Sequence, residues 1–157
     1  MNGEGEASRR SPLLQADAKR LVVAAGLIGV VRPDALVEAS DRLRVFVDSR
    51  WPGAIWHREV PIEAFIMTPH GVRRVGGTID LLLETDAGSI IVDHKTFPGP
   101  TEAAWRMKVV EFLPQMAAYA EALRRVPGER MAGCWVHLPL GGGMVEVRVA
   151  ESATAHD

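Results

Sequence analysis

The stretch GTIDLLLETDAGSIIVDHKT, residues 77–96, limits most strongly what this chain can fold into. Two apolar runs flank a polar turn at residues 85–88, which predicts a β-hairpin inside a buried sheet. Each run nevertheless contains one acidic residue, Asp80 in the first and Asp93 in the second, and Lys95 follows two positions later. Because a buried charge is costly unless it is paired or bound, these three side chains need a specific explanation.

The hairpin register predicts that the two acids are direct neighbours. With the turn at residues 85–88, Glu84 lies opposite Ser89, and counting back along both strands places Asp80 opposite Asp93. The Cβ atoms of such a pair are about 5 Å apart. Lys95 lies on the same face as Asp93, roughly 6.6 Å further along the strand. A slip of one residue would put the acids on opposite faces.

Facing carboxylates destabilise a sheet, and either a shared proton or a bound cation relieves them. A hard ion such as Mg²⁺ binds carboxylate oxygens and keeps several waters, so Asp80 and Asp93 are candidate metal ligands. Lys95 could then position or deprotonate an attacking water, or neutralise charge on a phosphate. The alternative is structural, with Lys95 as the salt-bridge partner of Asp93. Spacing alone leaves both interpretations open.

The rest of the pattern predicts a single α/β domain with a central mixed sheet flanked by helices. The domain is expected over residues 11–150, between a disordered N-terminus at 1–10 and a tail at 151–157. Pro114 should interrupt the long helical region, and Thr101 should cap its start. The predicted elements are helices at 12–25, 33–50 and 102–125, and strands at 55–67, in the hairpin, at 131–140 and at 144–150.

Composition excludes several classes of function. The net charge of −2 excludes a polycation, so nucleic-acid contacts would come from local patches such as Arg73-Arg74 and Arg124-Arg125. The single cysteine excludes an internal disulfide and a cysteine-ligated zinc or iron–sulfur site within this chain, and it predicts a cytoplasmic setting. No apolar run is long enough to span a membrane. No Gly-rich phosphate loop is present, so ATP hydrolysis is not expected.

Three motifs, GTIDLLLE, VDHKT and QMAAYAEAL, occur in an order that resembles the PD-(D/E)XK nuclease superfamily. More narrowly, they resemble the C-terminal nuclease domains of RecB and AddA, the bacterial helicase–nucleases of double-strand-break repair. Those domains carry a G-x-[IV]-D strand, a D-x-K strand and a Q-x-x-x-Y helix. REVPI is similar to their RE-x-P-F strand. The resemblance covers residues 41–123 and implies a restriction-endonuclease-like fold.

The resemblance also implies roles for individual residues. Asp80 and Asp93 correspond to the metal-binding acids, and Lys95 to the catalytic lysine. Gln115 and Tyr119, which are four residues apart and so share one helical face, would contact DNA phosphate or buttress the acids. The implied cofactor is Mg²⁺ or Mn²⁺.

Two nearby residues are less clearly assigned by the resemblance. Glu59 matches the upstream glutamate, which either supports the metal site or forms a structural salt bridge with Arg58 or another neighbour. His94 occupies the variable position of D-x-K and should point away from Asp93, so no catalytic role is expected for it.

The chain departs from the RecB pattern in one respect. RecB-like nucleases carry a metal-binding histidine on a helix well before the RE-x-P strand, whereas here no histidine precedes His57. Either the chain begins inside a larger domain or the ligand has been lost. The first is expected, because such domains end much longer polypeptides.

Three functions are consistent with these observations. The leading hypothesis is a Mg²⁺- or Mn²⁺-dependent deoxyribonuclease, exonuclease rather than endonuclease, acting on DNA in repair or recombination with a helicase subunit or helicase domain. The alternative is a catalytically degenerate nuclease-fold module that binds DNA or a helicase partner. A third is a small metabolic or regulatory α/β domain whose motifs are coincidental.

Overall fold

The structure, a computed structural model, describes residues 15–24, 26, 28–97, 99 and 101–149. The predicted disordered N-terminus at 1–10 and the predicted tail at 151–157 lie outside these residues, as do both ends of the helix predicted at 12–25. None of the helices in the described ranges is both long and apolar enough to cross a membrane.

Four α-helices and five strands make up the described part of the chain. In chain order they are α1 (residues 15–24), α2 (Pro33–Arg50), β1 (Ile55–Thr68), β2 (Gly71–Thr85), β3 (Gly88–His94), α3 (Glu102–Val109), α4 (Leu113–Arg124), β4 (Met131–Leu138) and β5 (Gly143–Val147), with a 3-10 turn (Val110–Phe112) between α3 and α4.

The strands form one mixed sheet in the order β1-β2-β3-β4-β5. All neighbouring pairs are antiparallel except β3 and β4, which are parallel. A parallel pair needs a long crossover connection, and α3 and α4 supply it. The predicted fold class, an α/β domain with a central mixed sheet flanked by helices, is therefore confirmed.

The helical crossover also provides the main core. Helix α4 packs over β1, β2 and β4, while α3 contacts β5. The shared cluster is built from buried apolar side chains of α4 and of the sheet, which include Met116, Tyr119, Ala120, Leu82, Ile91, Cys134 and Val136. This packing fixes the position of α4 relative to the strands that carry the acids.

The break in the crossover helix comes before the proline. The predicted interruption is confirmed, but it is the 3-10 turn that separates the two helices, and Pro114 is the second residue of α4. A proline is tolerated there because the first N–H groups of a helix have no partner within it. The predicted cap is confirmed too: the Thr101 hydroxyl accepts the N–H of Ala104 at 3.2 Å.

The β1–β2 hairpin is much longer than its neighbours. β3 pairs with residues 81–85 of β2 only, so the earlier part of β2 pairs with β1 alone. We call this two-stranded segment, residues 60–68 with 71–79, the distal ribbon. The sequence pattern predicts this strand only from Gly77, whereas β2 begins at Gly71.

Contacts group the chain into two compact units, with the division in sequence between Phe46 and Val47. Within the first unit, four apolar side chains of α1 and α2 are buried: Ala18, Val22, Ala39 and Leu43. The second unit contains the whole sheet with α3 and α4.

Candidate active site

The acids lie where the regular pairing of β2 with β3 ends. The predicted register is confirmed from Glu84 opposite Ser89 to Leu81 opposite Val92. Asp80 and Asp93 are the next residues on the two strands, but they do not continue the regular pairing. Instead, Oδ2 of Asp80 accepts the backbone N–H of His94 at 2.8 Å. A side-chain carboxylate thus replaces a backbone carbonyl as the acceptor at the point where the pairing of β2 with β3 ends.

Asp93 is almost completely buried, with 3% of its surface exposed. Nζ of Lys95 lies 2.9 Å from Asp93 Oδ2 and forms an ion pair with it. Apart from this ion pair, Oδ2 has no hydrogen-bond partner among the described residues. A buried carboxylate oxygen with so few partners is rare and costly.

The electrostatics of Asp93 agree with this geometry. Burial is the largest influence and raises the pKa of the Asp93 carboxyl; the Lys95 ammonium opposes this increase, and the negative charge of Asp80 adds to it. The net effect is a raised pKa. The ionised carboxylate therefore has less stabilisation than it would have in water, and a further cation beside it would be favourable.

Lys95 is held from three sides. Besides its ion pair with Asp93, its Nζ donates to Oε1 of Gln115 at 3.3 Å and lies 4.6 Å from the centre of the Phe112 ring. Its backbone N–H donates to the carbonyl of His137 at 2.9 Å. Because 23% of the side chain remains exposed, the ammonium is positioned but still accessible from solvent.

Gln115 and Tyr119 extend the array along α4. Nε2 of Gln115 donates to the Tyr119 hydroxyl at 3.1 Å, which orients the amide so that Oε1 faces Lys95. The tyrosine hydroxyl lies against Gly77, and a Cβ added there would overlap it, with the ring carbon Cζ only 3.0 Å away. Close approach of Tyr119 thus explains why glycine begins the GTID motif.

Glu59 occupies a distorted position on β1. It falls between the pairs Arg58–Leu81 and Val60–Ile79, and thus opposite Asp80 in sequence register. Its φ is 52°, and it is the one non-glycine residue with positive φ within the described ranges. Such a conformation costs free energy and is concentrated at functional sites.

The charge of Glu59 acts on the same imidazole as the charges of the two acids. It forms no ion pair with any residue in the described part of the chain, so the predicted structural salt bridge is not found there. Its negative charge acts on His94, as do those of Asp80 and Asp93, and all three raise the pKa of that imidazole.

His94 contacts its neighbour on β4. Its Nδ1 lies 2.9 Å from Nδ1 of His137, and the two rings meet edge to face. Although the residue as a whole is exposed, desolvation of its ring outweighs the surrounding acids and lowers the pKa of the His94 imidazole. The structure thus joins the ring to His137, and the absence of a catalytic role for His94 stays a prediction. His57 lies apart from the site, with Nε2 3.0 Å from Oε2 of Glu84.

Sequence reasoning missed Phe112 and His137, both of which contact Lys95. Phe112 precedes Gln115 by three residues, a spacing that places two side chains on one face of a helix. That spacing could have indicated that Phe112 lies on the same side of the helix as Gln115. The contact with the His137 carbonyl could not be foreseen, because it depends on which residue of β4 lies beside Lys95 after the crossover.

The side chains of the site can be compared with the ligands that different metal ions require. No group of three His, Cys, Asp or Glu side chains suited to a metal occurs among the described residues. Two carboxylates are what the site provides, and a buried oxygen of one of them has no partner among the described residues apart from the Lys95 ammonium. Mg²⁺ commonly uses one or two carboxylates and completes its shell with waters and substrate phosphates. Asp80 and Asp93 therefore fit Mg²⁺ or Mn²⁺, and do not fit a closed zinc site.

Comparison with protein families gives one finding. The family model of the PD-(D/E)XK nuclease superfamily matches residues 7–156. This match confirms the resemblance at the level of the superfamily, and with it the restriction-endonuclease-like fold class. A search of curated proteins gives no match.

Proposed function

This chain belongs to the PD-(D/E)XK nuclease superfamily, and from that premise we propose that it is a Mg²⁺- or Mn²⁺-dependent DNA nuclease of the RecB and AddA type. Members of the superfamily are typically nucleases, and the fold implies a DNA substrate. The observation that carries the proposal is the convergence of Asp80, Asp93 and Lys95 at one end of the β2–β3 hairpin.

Asp80 and Asp93 would hold the divalent ion, which when bound lowers the pKa of a coordinated water and neutralises charge on the phosphate. The protein's own contribution is positional. The bond from His94 fixes the Asp80 carboxylate, and burial fixes that of Asp93. Neither acid has to reorganise when a phosphodiester arrives, which is how preorganised charge accelerates a reaction.

Lys95 would stabilise the negative charge that develops on the phosphate or hold the attacking water. Gln115 supports this role, because it accepts from the ammonium and is itself anchored by Tyr119. The ring of Phe112 adds a second support through its negative face. The three contacts restrict the ammonium without neutralising it fully.

The proposed type of nuclease, its role in DNA repair and its helicase partner are supported by the sequence motifs. The order of G-x-[IV]-D, D-x-K and Q-x-x-x-Y, preceded by REVPI, supports a RecB-like exonuclease that acts in DNA repair or recombination, within a domain at residues 11–150. A cytoplasmic location accords with this setting. The corresponding partner is a helicase subunit or helicase domain, because nuclease domains of this type work together with a helicase. The chain would then be part of a longer helicase–nuclease.

A catalytically degenerate module that binds DNA or a helicase partner is the second candidate. It is favoured by one observation, that the described residues offer two carboxylates and no third metal ligand. Such a module would keep the fold and the ion pair of Asp93 with Lys95 but hydrolyse nothing.

Linear and circular DNA incubated with the protein and Mg²⁺ or Mn²⁺ test the proposal. The wild-type chain should degrade linear DNA, and Asp93→Asn should lower the rate by about 10²–10³-fold or more. Asp86→Asn, at the exposed tip of the same hairpin, is the matched control and should keep the full rate. Degradation of linear but not circular DNA would identify an exonuclease.

Two outcomes contradict the proposal. Full activity of Asp93→Asn would remove the aspartate from the mechanism. A wild-type chain that binds DNA, is not stabilised by Mn²⁺ and cleaves nothing would instead support the degenerate module.

A further inference from the structure

His94 and His137 lie side by side where β3 ends. We propose that the hydrogen bond between their imidazole rings holds in place the two backbone groups that orient Asp80 and Lys95, so that both histidines are positioning residues for hydrolysis. The inference rests on the proposed function, because it names residues that act through a catalytic acid and the lysine. Its basis is three contacts made by the same two residues.

The backbone groups of the two histidines bind the active-site residues directly. The N–H of His94 donates to Oδ2 of Asp80 at 2.8 Å, and the carbonyl of His137 accepts the backbone N–H of Lys95 at 2.9 Å. The first bond fixes a carboxylate, and the second fixes the backbone from which the lysine side chain begins. A shift of either histidine backbone would therefore move a side chain of the site.

The ring contact joins these two backbone groups. Nδ1 of His94 and Nδ1 of His137 are 2.9 Å apart, and the rings meet edge to face with their centres 5.0 Å apart. Two imidazole nitrogens form a hydrogen bond at this distance when one carries a proton and the other does not. Because His137 is buried, water competes little for this bond, and the bond is stronger than it would be at the surface.

The location of the pair explains why such a link is useful. β3 and β4 are parallel, and parallel pairing is slightly less stable per residue than antiparallel pairing. His94 is the last residue of β3, and the ends of elements open more readily than the middle of a sheet. The ring–ring bond adds a side-chain connection between the strands at the point where the regular pairing of β3 stops.

The rings act from the other face of the sheet. Successive side chains along a strand point to opposite faces, which places the His94 ring on the face opposite to Asp93 and Lys95, the residues before and after it. The ring is therefore not aimed at the space where the acids and the ammonium would meet a phosphodiester. Its effect on hydrolysis passes through the backbone bonds to Asp80 and Lys95.

Amide exchange and kinetics of His94→Phe test the proposal. The variant keeps a ring of similar size and removes the nitrogen that bonds to His137. By NMR, the backbone N–H of Lys95 should exchange with deuterium about tenfold faster or more, because the end of the sheet opens more often. In Mg²⁺, kcat for DNA hydrolysis should fall about 10–100-fold, the usual cost of losing a group that orients a metal ligand, and KM should stay unchanged.

Two further variants separate positioning from stability. His94→Asn places a hydrogen-bonding atom as many bonds from Cα as Nδ1 is, and it should recover most of the amide protection and of kcat lost in His94→Phe. Ser89→Ala is the matched control, because it removes a 2.7 Å side-chain bond to Glu129 at the other end of β3. It should lower stability to urea and leave kcat and the exchange of the Lys95 N–H unchanged.

The partner residue gives an independent check. His137→Phe removes the same bond from the buried side, and the double variant His94→Phe with His137→Phe should lose no more activity than either single variant, because one bond is lost in all three. The His94 variants keep the proposal testable if His137→Phe does not fold, since residue 94 as a whole is exposed.

Four results would overturn the proposal. The first is an unchanged kcat or an unchanged Lys95 exchange rate in His94→Phe, and the second is no recovery in His94→Asn. The third is an equal fall in kcat in Ser89→Ala, and the fourth is activity losses of the two histidine variants that multiply in the double variant. Inactivity of the wild-type protein, with faster Lys95 exchange in His94→Phe, would support the link between the backbone groups and count against the proposed hydrolysis alone.

Discussion

The two halves of strand β2 both contain apolar residues but differ in how many of their faces are covered. Residues 81–85 pair with β1 on one side and β3 on the other, and the leucines at 81–83 are buried on both faces of the strand. Residues 71–79 pair with β1 alone; Val75 and Ile79 on one face are buried, whereas Val72 on the other face is largely exposed. The three-stranded part of the sheet is therefore covered on both faces, and the two-stranded part on one.

Asp80 lies at the boundary between these halves. It is the first residue of β2 beyond the pairing with β3, and its carboxylate bonds to the backbone of that strand. The end of a paired strand is a favourable place for an active site. Backbone and side-chain groups there are free to bind a ligand, and the paired residues next to them hold them in position.

The largest expected effect compares the two halves directly. Leu83→Ala should lower the free energy of unfolding by about 2–5 kcal/mol, because it leaves a cavity in the fully paired part of the sheet. Val72→Ala, in the ribbon, should change it by less than about 0.5 kcal/mol. Urea denaturation of both variants measures the difference. Equal losses would mean that the ribbon is as well covered as the sheet.

Removal of the Lys95 ammonium should leave the fold intact and slow hydrolysis. Lys95→Met should lower kcat by about 10²–10³-fold, the usual loss for one group that stabilises a transition state. KM should change little. Lys19→Met, an exposed lysine of α1, is the control. An unchanged kcat would show that Lys95 is only the salt-bridge partner of Asp93, which is the structural alternative given by the sequence.

The glycine pair in the middle of β2 gives a finer comparison. Gly77→Ala should destabilise the protein by about 1–3 kcal/mol, because the new methyl group overlaps Tyr119. Gly76→Ala places its methyl on the other side of the strand, where the nearest atom is the Ile62 carbonyl oxygen at 3.9 Å. That variant should be neutral or slightly stabilising. Similar thermal shifts for both variants would contradict the packing of Tyr119 on Gly77.

The smallest expected effect concerns the sole cysteine. Burial raises the pKa of the Cys134 thiol to about 11 from its ordinary 9.0, so the native protein should react with a maleimide at pH 8 far more slowly than the urea-unfolded chain. Since the folded-state pKa is the higher one, the stabilisation is complete below pH 9 and is lost as the pH rises towards 11. Fast labelling without denaturant would show that the paired sheet opens locally.

The sequence was sufficient for the hairpin and its register. The two-residue loop at Asp86 and Ala87 and the matched apolar runs determine which residues face each other, so the register from Glu84 opposite Ser89 to Leu81 opposite Val92 followed from local pattern alone. The fold class followed from the order of elements for the same reason. Local signals sufficed wherever the relevant contacts are close in sequence.

The remaining features depend on contacts that are distant in sequence. The bond of Lys95 with Gln115 requires α4 to pack at one particular angle, and the φ of Glu59 marks an interruption of the β1–β2 pairing opposite Asp80. The first half of β2 was missed because Gly76 and Gly77 lower strand propensity. Only the structure shows that one of these glycines is required by a tyrosine from the crossover helix.

The bond from the His94 backbone to Asp80 has a consequence for ion selectivity. One oxygen of that carboxylate is already occupied by the peptide group, which favours coordination of a cation through the other oxygen alone. Ca²⁺ tolerates carboxylates that bind through both oxygens and takes six to eight ligands, whereas Mg²⁺ accepts single oxygens in an octahedron. In the proposed metal site, this hydrogen bond would therefore favour Mg²⁺ over Ca²⁺.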